Sequence, residues 1–399
     1  MTHPSRALAR VASPAARRLY ALMSLHPTGT FTADVAQAVA LTDRSSPSVS
    51  VGHCLATLHE AGLYAHDQGR YSMSPQAHRD AQERAFTDLR PSWDTRREAQ
   101  LRLADHYLAA ATEAGRILLP DEPVLAPTYV FPYSVAPLAF SGPGAARRWF
   151  ALEHAALAGV LKMARTAGPP SLTAHLAVAS WAVYLEHGAC AIWQKGQHLG
   201  VDAARIWGLR RVEALLLLRH AVVLRDRRLP ESALPALRDA ASLYQDAADR
   251  DGLATTWRTT ALVHLDLGRM EAARHALRIA HAHRSPLNSS ARALDQLCTA
   301  ELEHRTGGRR EAGYWFRAAL TSADSGSATE VRIRRQAALV RLEHGDVKGA
   351  RAELEHALEV ACAGDRDLMR TEVTLTREAL TTTIGAARRS PPPPRTNSA

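Results

Sequence analysis

Nineteen histidines and four cysteines are the side chains here best able to ligate a metal, transfer a proton or attack a substrate, so their spacing decides what chemistry is open to the chain. A zinc site needs ligands gathered by short spacings such as Cys-x-x-Cys or His-Glu-x-x-His, and neither occurs. Cys54, Cys190, Cys298 and Cys362 lie far apart, without the paired spacing of a disulfide framework. The densest histidine group, His275, His281 and His283, has offsets of six and eight residues, which on a helix point to different sides. No Gly-x-Ser-x-Gly elbow presents a nucleophile. No Gly-x-x-x-x-Gly-Lys-Ser/Thr loop is present to cradle phosphates. The expectation is a chain with no catalytic residues, no metal and no cofactor: not an enzyme.

What the sequence offers in place of catalytic groups is arginine. The formal net charge is +9, and lysine appears only at Lys162, Lys195 and Lys348. Arginine usage of this kind, beside abundant alanine and leucine, reflects a GC-rich genome and does not by itself point to nucleic acid. A mild basic surplus suits many partners. Scattered thiols fit a reducing compartment. Arg6, Arg10, Arg17 and Arg18 interrupt any signal-peptide core, and the longest apolar stretch, Leu176 to Leu185, is too short to span a bilayer. A cytoplasmic protein with no membrane partner is expected.

The arginines have to be positioned, and internal repetition shows by what. Four columns recur at intervals of 40, 39 and 38 residues: Ala233, Ala273, Ala312 and Ala350; Ala221, Ala261, Ala300 and Ala338; Ala240, Ala280, Ala319 and Ala357; and Leu237, Leu277, Phe316 and Leu354. Alanines let paired helices approach and the Leu or Phe plugs the gap between them. Gly268, Gly307 and Gly345 stand where the first helix of three pairs must end in a left-handed residue. The fold class is therefore all-α, a superhelix of helix pairs over 171–385, with a weaker fifth pair around Trp181, Gly188 and Trp193. Such stacks expose a long inner groove that binds peptides or proteins. Its expected lining includes Arg225, Arg258, Arg332 and Arg335 beside Leu262 and Leu339. Each arginine could grip a carboxylate by two hydrogen bonds, which suits an acidic, partly apolar peptide; the alternative is a merely solvated helix face.

The residues before the repeats read differently. Three helices, Ala15 to Leu25, Thr32 to Ala40 and Ser48 to Ala61, precede two short strands around Asp67-Gln68-Gly69, a hairpin signal, and together they predict a winged-helix module over 15–90. A winged helix that reads DNA supplies cations from its third helix and wing. Here Arg44, His53, Thr57 and Arg70 are the candidate contacts, and the third helix has no Arg or Lys, so a packing role is preferred. Residues 1–14 read as a flexible N-terminus, 91–170 as a helical connector with a Pro- and aromatic-rich loop at 119–147, and 386–399 as a disordered tail.

Trp257, Ala261, Gly268, Ala273 and Ala280 match the signature spacing of the tetratricopeptide repeat, which the array resembles, with residues added between pairs relative to that family's 34-residue period. The segments Arg17 to Pro27, Gly69-Arg70-Tyr71, Arg97 to Leu118 and Arg148-Trp-Phe-Ala-Leu-Glu-His154, followed by repeats, resemble the C-terminal half of actinobacterial NB-ARC-type signal-transduction NTPases. That resemblance implies a regulator with a winged helix and repeats beside an ATPase domain. The phosphate loop is absent, and Met73-Ser74-Pro75 stands where that family has a nucleotide-sensing His-Asp pair. The implied role is an adaptor or regulatory scaffold that binds a protein or peptide. A DNA-binding transcriptional regulator with sensing repeats, and a subunit that complements a separate ATPase, are the rivals.

Overall fold

The computed structural model describes residues 4–40, 50–87, 93–119, 122, 125–132, 138–187, 191–285, 288–364 and 369–378. Arg44, Gly188 and the tail 386–399 lie outside them. The chain divides into two compact units, Met1–Leu216 and Leu217–Ala399. It is mostly helical, with one small antiparallel sheet among the described residues.

The first unit opens with α1 (Pro4–Ala9), α2 (Pro14–Met23), β1 (Thr30–Thr32), α3 (Ala33–Ala40), α4 (Val51–Glu60), β2 (Tyr64–Asp67) and β3 (Arg70–Met73). Serine side chains cap α2 and α4: Ser13 accepts from the Ala16 amide and Ser50 from the His53 amide, which satisfies donors the first turn leaves open. Between β2 and β3, Gln68 (φ 47°) and Gly69 (φ 77°) are both left-handed, the two-residue turn whose twist matches antiparallel strands. β1, a strand the sequence pattern does not announce, pairs with β3 so that the sheet order is β1-β3-β2. Three residues are too short to show an alternating pattern, and Phe31 is held there by burial against Tyr64 and Tyr71.

The unit continues through α5 (Pro75–Thr87), α6 (Trp93–Leu118), α7 (Pro143–Ala167), α8 (Pro170–Ala179), α9 (Trp181–His187) and α10 (Ala191–Trp207). One core joins Leu19, Tyr20, Phe31 and Leu58 of the first elements to Leu103 and Leu108 of α6 and to Phe150 and Leu157 of α7. Residues 15–90 and 91–170, separate on the sequence pattern, thus share a single core, and the weaker repeat around Trp181 falls within the same unit. Over its described residues, 4–14, the expectation of a flexible segment is corrected: Ala7, Leu8 and Val11 are buried and the Ser5 hydroxyl donates to the Asp80 carboxylate, so apolar burial offsets the entropy of ordering them. The aromatic loop also docks. Both carboxylate oxygens of Asp105 accept backbone amides, from Val130 at 3.1 Å and Phe131 at 2.7 Å.

The border between the units falls within α11 (Arg210–Asp226). Then follow α12 (Pro230–Asp246), α13 (Arg250–Asp266), α14 (Met270–His283), α15 (Ser289–Arg305), α16 (Arg309–Ser322), α17 (Ala328–Glu343) and α18 (Val347–Ala363). Every residue of the four sequence columns is buried. Side chains of Asp249, Asn288 and Ser327 cap the first helices α13, α15 and α17. Gly268, Gly307 and Gly345 end those helices with φ of 71°, 89° and 78°. In the turn between α11 and α12 that conformation falls to Arg228 (φ 63°), at a cost of about 1–2 kcal/mol that glycine would avoid. The core is not one mass but a series of small clusters, one of them Ala261, Leu265, Leu277, Cys298 and Leu302, another Ala300, Phe316, Ile333 and Val340. Stability here is close to a sum over neighbouring helix layers.

Candidate functional site

Within the second unit the first helices of successive pairs pack on one another, α13 on α15 and α15 on α17, and form one layer of the stack, which carries the groove candidates. The structure separates those candidates into two kinds. Arg258 is buried, donating to Asp295 Oδ1 at 3.2 Å and to Thr255 Oγ1 at 3.3 Å. The other oxygen of Asp295, only 4% exposed, accepts Arg284 at 3.2 Å. Arg225 pairs with Asp266 at 2.6 Å. Arg335 donates to Thr376 Oγ1 at 3.1 Å and faces Glu372 at 3.9 Å, both in the helical residues 369–378. Three of the four arginines thus tie one helix layer to a later one. Arg332 is exposed and has no hydrogen bond or ion pair to any described residue, while Leu262 and Leu339 are half-buried. Arg332, Leu262 and Leu339 are the candidates left open to a ligand.

The ties escaped sequence reasoning because each partner lies 37 to 41 residues away, about one repeat. The one available signal is that a charge on a first helix has an opposite charge near the same height one repeat later.

In the first unit, α4 presents His53 exposed and Thr57 half-exposed, the latter's hydroxyl bonded to the His53 carbonyl at 2.9 Å. Arg44 lies outside the described residues. Arg70 is not turned outward: its guanidinium lies 2.6 Å from Glu153 Oε1, a carboxylate 2% exposed on α7. Tyr107 of α6 donates to Glu153 Oε2 at 2.5 Å, and His26 Nε2 lies 2.8 Å from the Tyr107 oxygen. Since the phenolic proton is committed to the carboxylate, Nε2 must be the protonated nitrogen of a neutral imidazole. The result is a directional chain from His26 through Tyr107 to Glu153, closed by Arg70. Gly159 makes the approach possible, for a Cβ there would sit 2.3 Å from the Pro27 side chain. These four residues come from four separate elements or loops, and no sequence motif joins them.

Burial, with the nearby Arg70 charge second, pushes the His26 imidazole down to about 3, and burial takes His106 down to about 4. Both are neutral in the fold and would titrate near 6.5 when unfolded. The unfolded chain therefore binds more protons below that pH, so their contribution is complete above about 6.5 and is lost as pH falls toward 3 to 4. Stability of the first unit should drop by about 1.4 kcal/mol per pH unit for each histidine in that window. Melting curves from pH 7 to 4 on the full chain and on His26→Gln test this: the variant should show a visibly shallower slope, and equal slopes would remove His26 from the account.

Among the described residues no helix is long and apolar enough to cross a membrane, and no three His, Cys, Asp or Glu side chains converge as metal ligands. No protein-family profile and no curated protein matches the chain. Among solved structures, one similar chain is a Signal Transduction ATPase with Numerous Domains (STAND) protein with a tetratricopeptide repeat sensor from Pyrococcus horikoshii. It is 11% identical, with a TM-score of 0.40, over 93% of this chain and 54% of that one. The present chain thus spans about half the length of that protein.

Proposed function

We propose that the chain is a non-enzymatic regulatory scaffold of the cytoplasm, in which a tetratricopeptide-like array binds a protein or peptide segment along its inner helices and a winged-helix module packs as a rigid companion. The observation that carries this reading is the in-register stack of helix pairs, with every alanine and Leu/Phe column buried and Arg332, Leu262 and Leu339 left accessible on first helices. Stacks of this kind commonly use that layer for recognition.

A second reading, DNA binding by the N-terminal module, is favoured by its element order of helix, strand, two helices and hairpin, which is that of a winged helix, and by exposed His53 at the start of α4. Against it stands the engagement of Arg70 by Glu153, which withholds the wing's cation from phosphate.

Affinity purification of the full chain from its native cells, with and without nuclease, separates the two. A protein that survives nuclease and is lost with Arg332→Glu/Leu339→Glu supports the scaffold. Partners that vanish with nuclease, or binding indifferent to that double variant, count against it.

A further inference from the structure

The second helices carry a charged feature that the groove does not use. Arg238 on α12, Arg278 on α14 and Arg317 on α16 each directly follow the buried Leu or Phe of their pair, 40 and 39 residues apart. All three are exposed, and none of their guanidiniums has a hydrogen bond or ion pair to any described residue. The rest of the array makes the contrast: Arg225, Arg258, Arg269, Arg274, Arg305 and Arg334 are each paired with a carboxylate. These six arginines are neutralised by ion pairs, whereas no ion pair among the described residues engages the three of the ladder.

On α16 the ladder extends along the helix. Arg310, Tyr314 and Arg317 stand at i, i+4 and i+7, one stripe of the surface, and the Tyr314 ring is 58% exposed. His275 holds the corresponding place on α14, exposed beside Arg278. Arginine interleaved with an exposed aromatic ring is the composition of binding hot spots.

We propose that this outer face of the second helices is a docking surface for an acidic polypeptide segment, with Arg238, Arg278 and Arg317 each receiving a carboxylate. A protein fits better than a nucleic acid because the same helices carry exposed carboxylates between the arginines: Glu311, and Glu231 and Glu271, which are paired with Arg269 and Arg274. They would repel a continuous phosphate backbone, whereas a folded or peptide partner can place its acids opposite the arginines and its cations opposite the glutamates. The surface is independent of the inner groove, and either can fail without the other.

The test uses the full chain and a fluorescein-labelled oligoglutamate peptide, with binding read by anisotropy. Arg238→Glu/Arg278→Glu/Arg317→Glu should weaken binding at least about tenfold. Arg18→Glu/Arg79→Glu/Arg165→Glu makes the same change in net charge at exposed positions of the other unit and should alter it by no more than about twofold. Helicity by circular dichroism should be unchanged in both, since every site is exposed. The proposal is overturned if the wild-type chain does not bind the peptide, if both triple variants weaken binding equally, if Arg332→Glu/Leu339→Glu weakens it as much, or if an oligonucleotide of equal charge binds more tightly through the same three arginines.

Discussion

Asp295→Ala should destabilise the repeat array by about 3–5 kcal/mol, the usual consequence of leaving buried charge without its partner. Asp295 is the one carboxylate shared by two guanidiniums, Arg258 and Arg284, whose side chains are 10% and 11% exposed. Its removal leaves both without a counter-charge, in a layer where α13 and α15 must touch. Because the two units need not unfold together, a melting curve of the whole chain does not say in which unit this loss falls. Hydrogen exchange resolved by peptide should show α13 through α16 losing protection while α2, α6 and α7 keep theirs. Adding Arg258→Met and Arg284→Met to the same chain should recover most of the loss, since apolar side chains of similar volume replace buried ion pairs at little cost. Unaltered exchange in α13 through α16 after Asp295→Ala would show that the stack stands on its apolar columns alone.

An effect of similar size, about 3–5 kcal/mol, is expected for Glu153→Ala in the first unit. Glu153 anchors the Arg70 guanidinium and the Tyr107 hydroxyl at once, so its loss leaves a largely buried cation without its counter-charge and a buried phenolic proton without its acceptor. The strand β3 that carries Arg70 is the centre of the sheet, and its neighbours β1 and β2 depend on it for pairing. Exchange should therefore rise in Tyr64–Met73 and Thr30–Thr32 before it rises in α4. Glu153→Gln, which keeps an acceptor for Tyr107 but not the charge, should fall between alanine and wild type. Equal effects of Gln and Ala would assign the role to shape and not to charge.

How far the fold can be read from the residues differs between the units. In the second, the columns of Ala261, Ala280 and Leu277 recur together, shifting by the same 40, 39 and 38 residues, because every pair solves the same packing problem, so the helix layers are legible without coordinates. The turn glycines are legible for the same reason, and Arg228 shows the limit: its position in the alignment identifies the turn, although its residue type argues against the conformation it adopts. In the first unit nothing repeats. The core shared by Tyr20, Leu103 and Phe150 is assembled once, from residues up to 130 positions apart, and leaves no period to detect. The candidate sites divide likewise. The face carrying Arg258 and Arg332 follows from helical periodicity. Which of the two is free depends on Asp295, a residue one layer away whose side chain no local pattern connects to Arg258.

Cys298 gives the layered core a use of a different kind. It lies inside the cluster that joins α13 and α14 to α15, and burial pushes its thiol up to about 12, so in the closed stack it is neither accessible nor ionised. Cys362, near the end of α18, is exposed. An alkylating reagent should mark Cys362 at once and Cys298 only in the moments when neighbouring layers part. The ratio of the two labelling rates then clocks the breathing of the array in situ, layer by layer, and a ligand that clamps the stack would announce itself by slowing one cysteine and not the other.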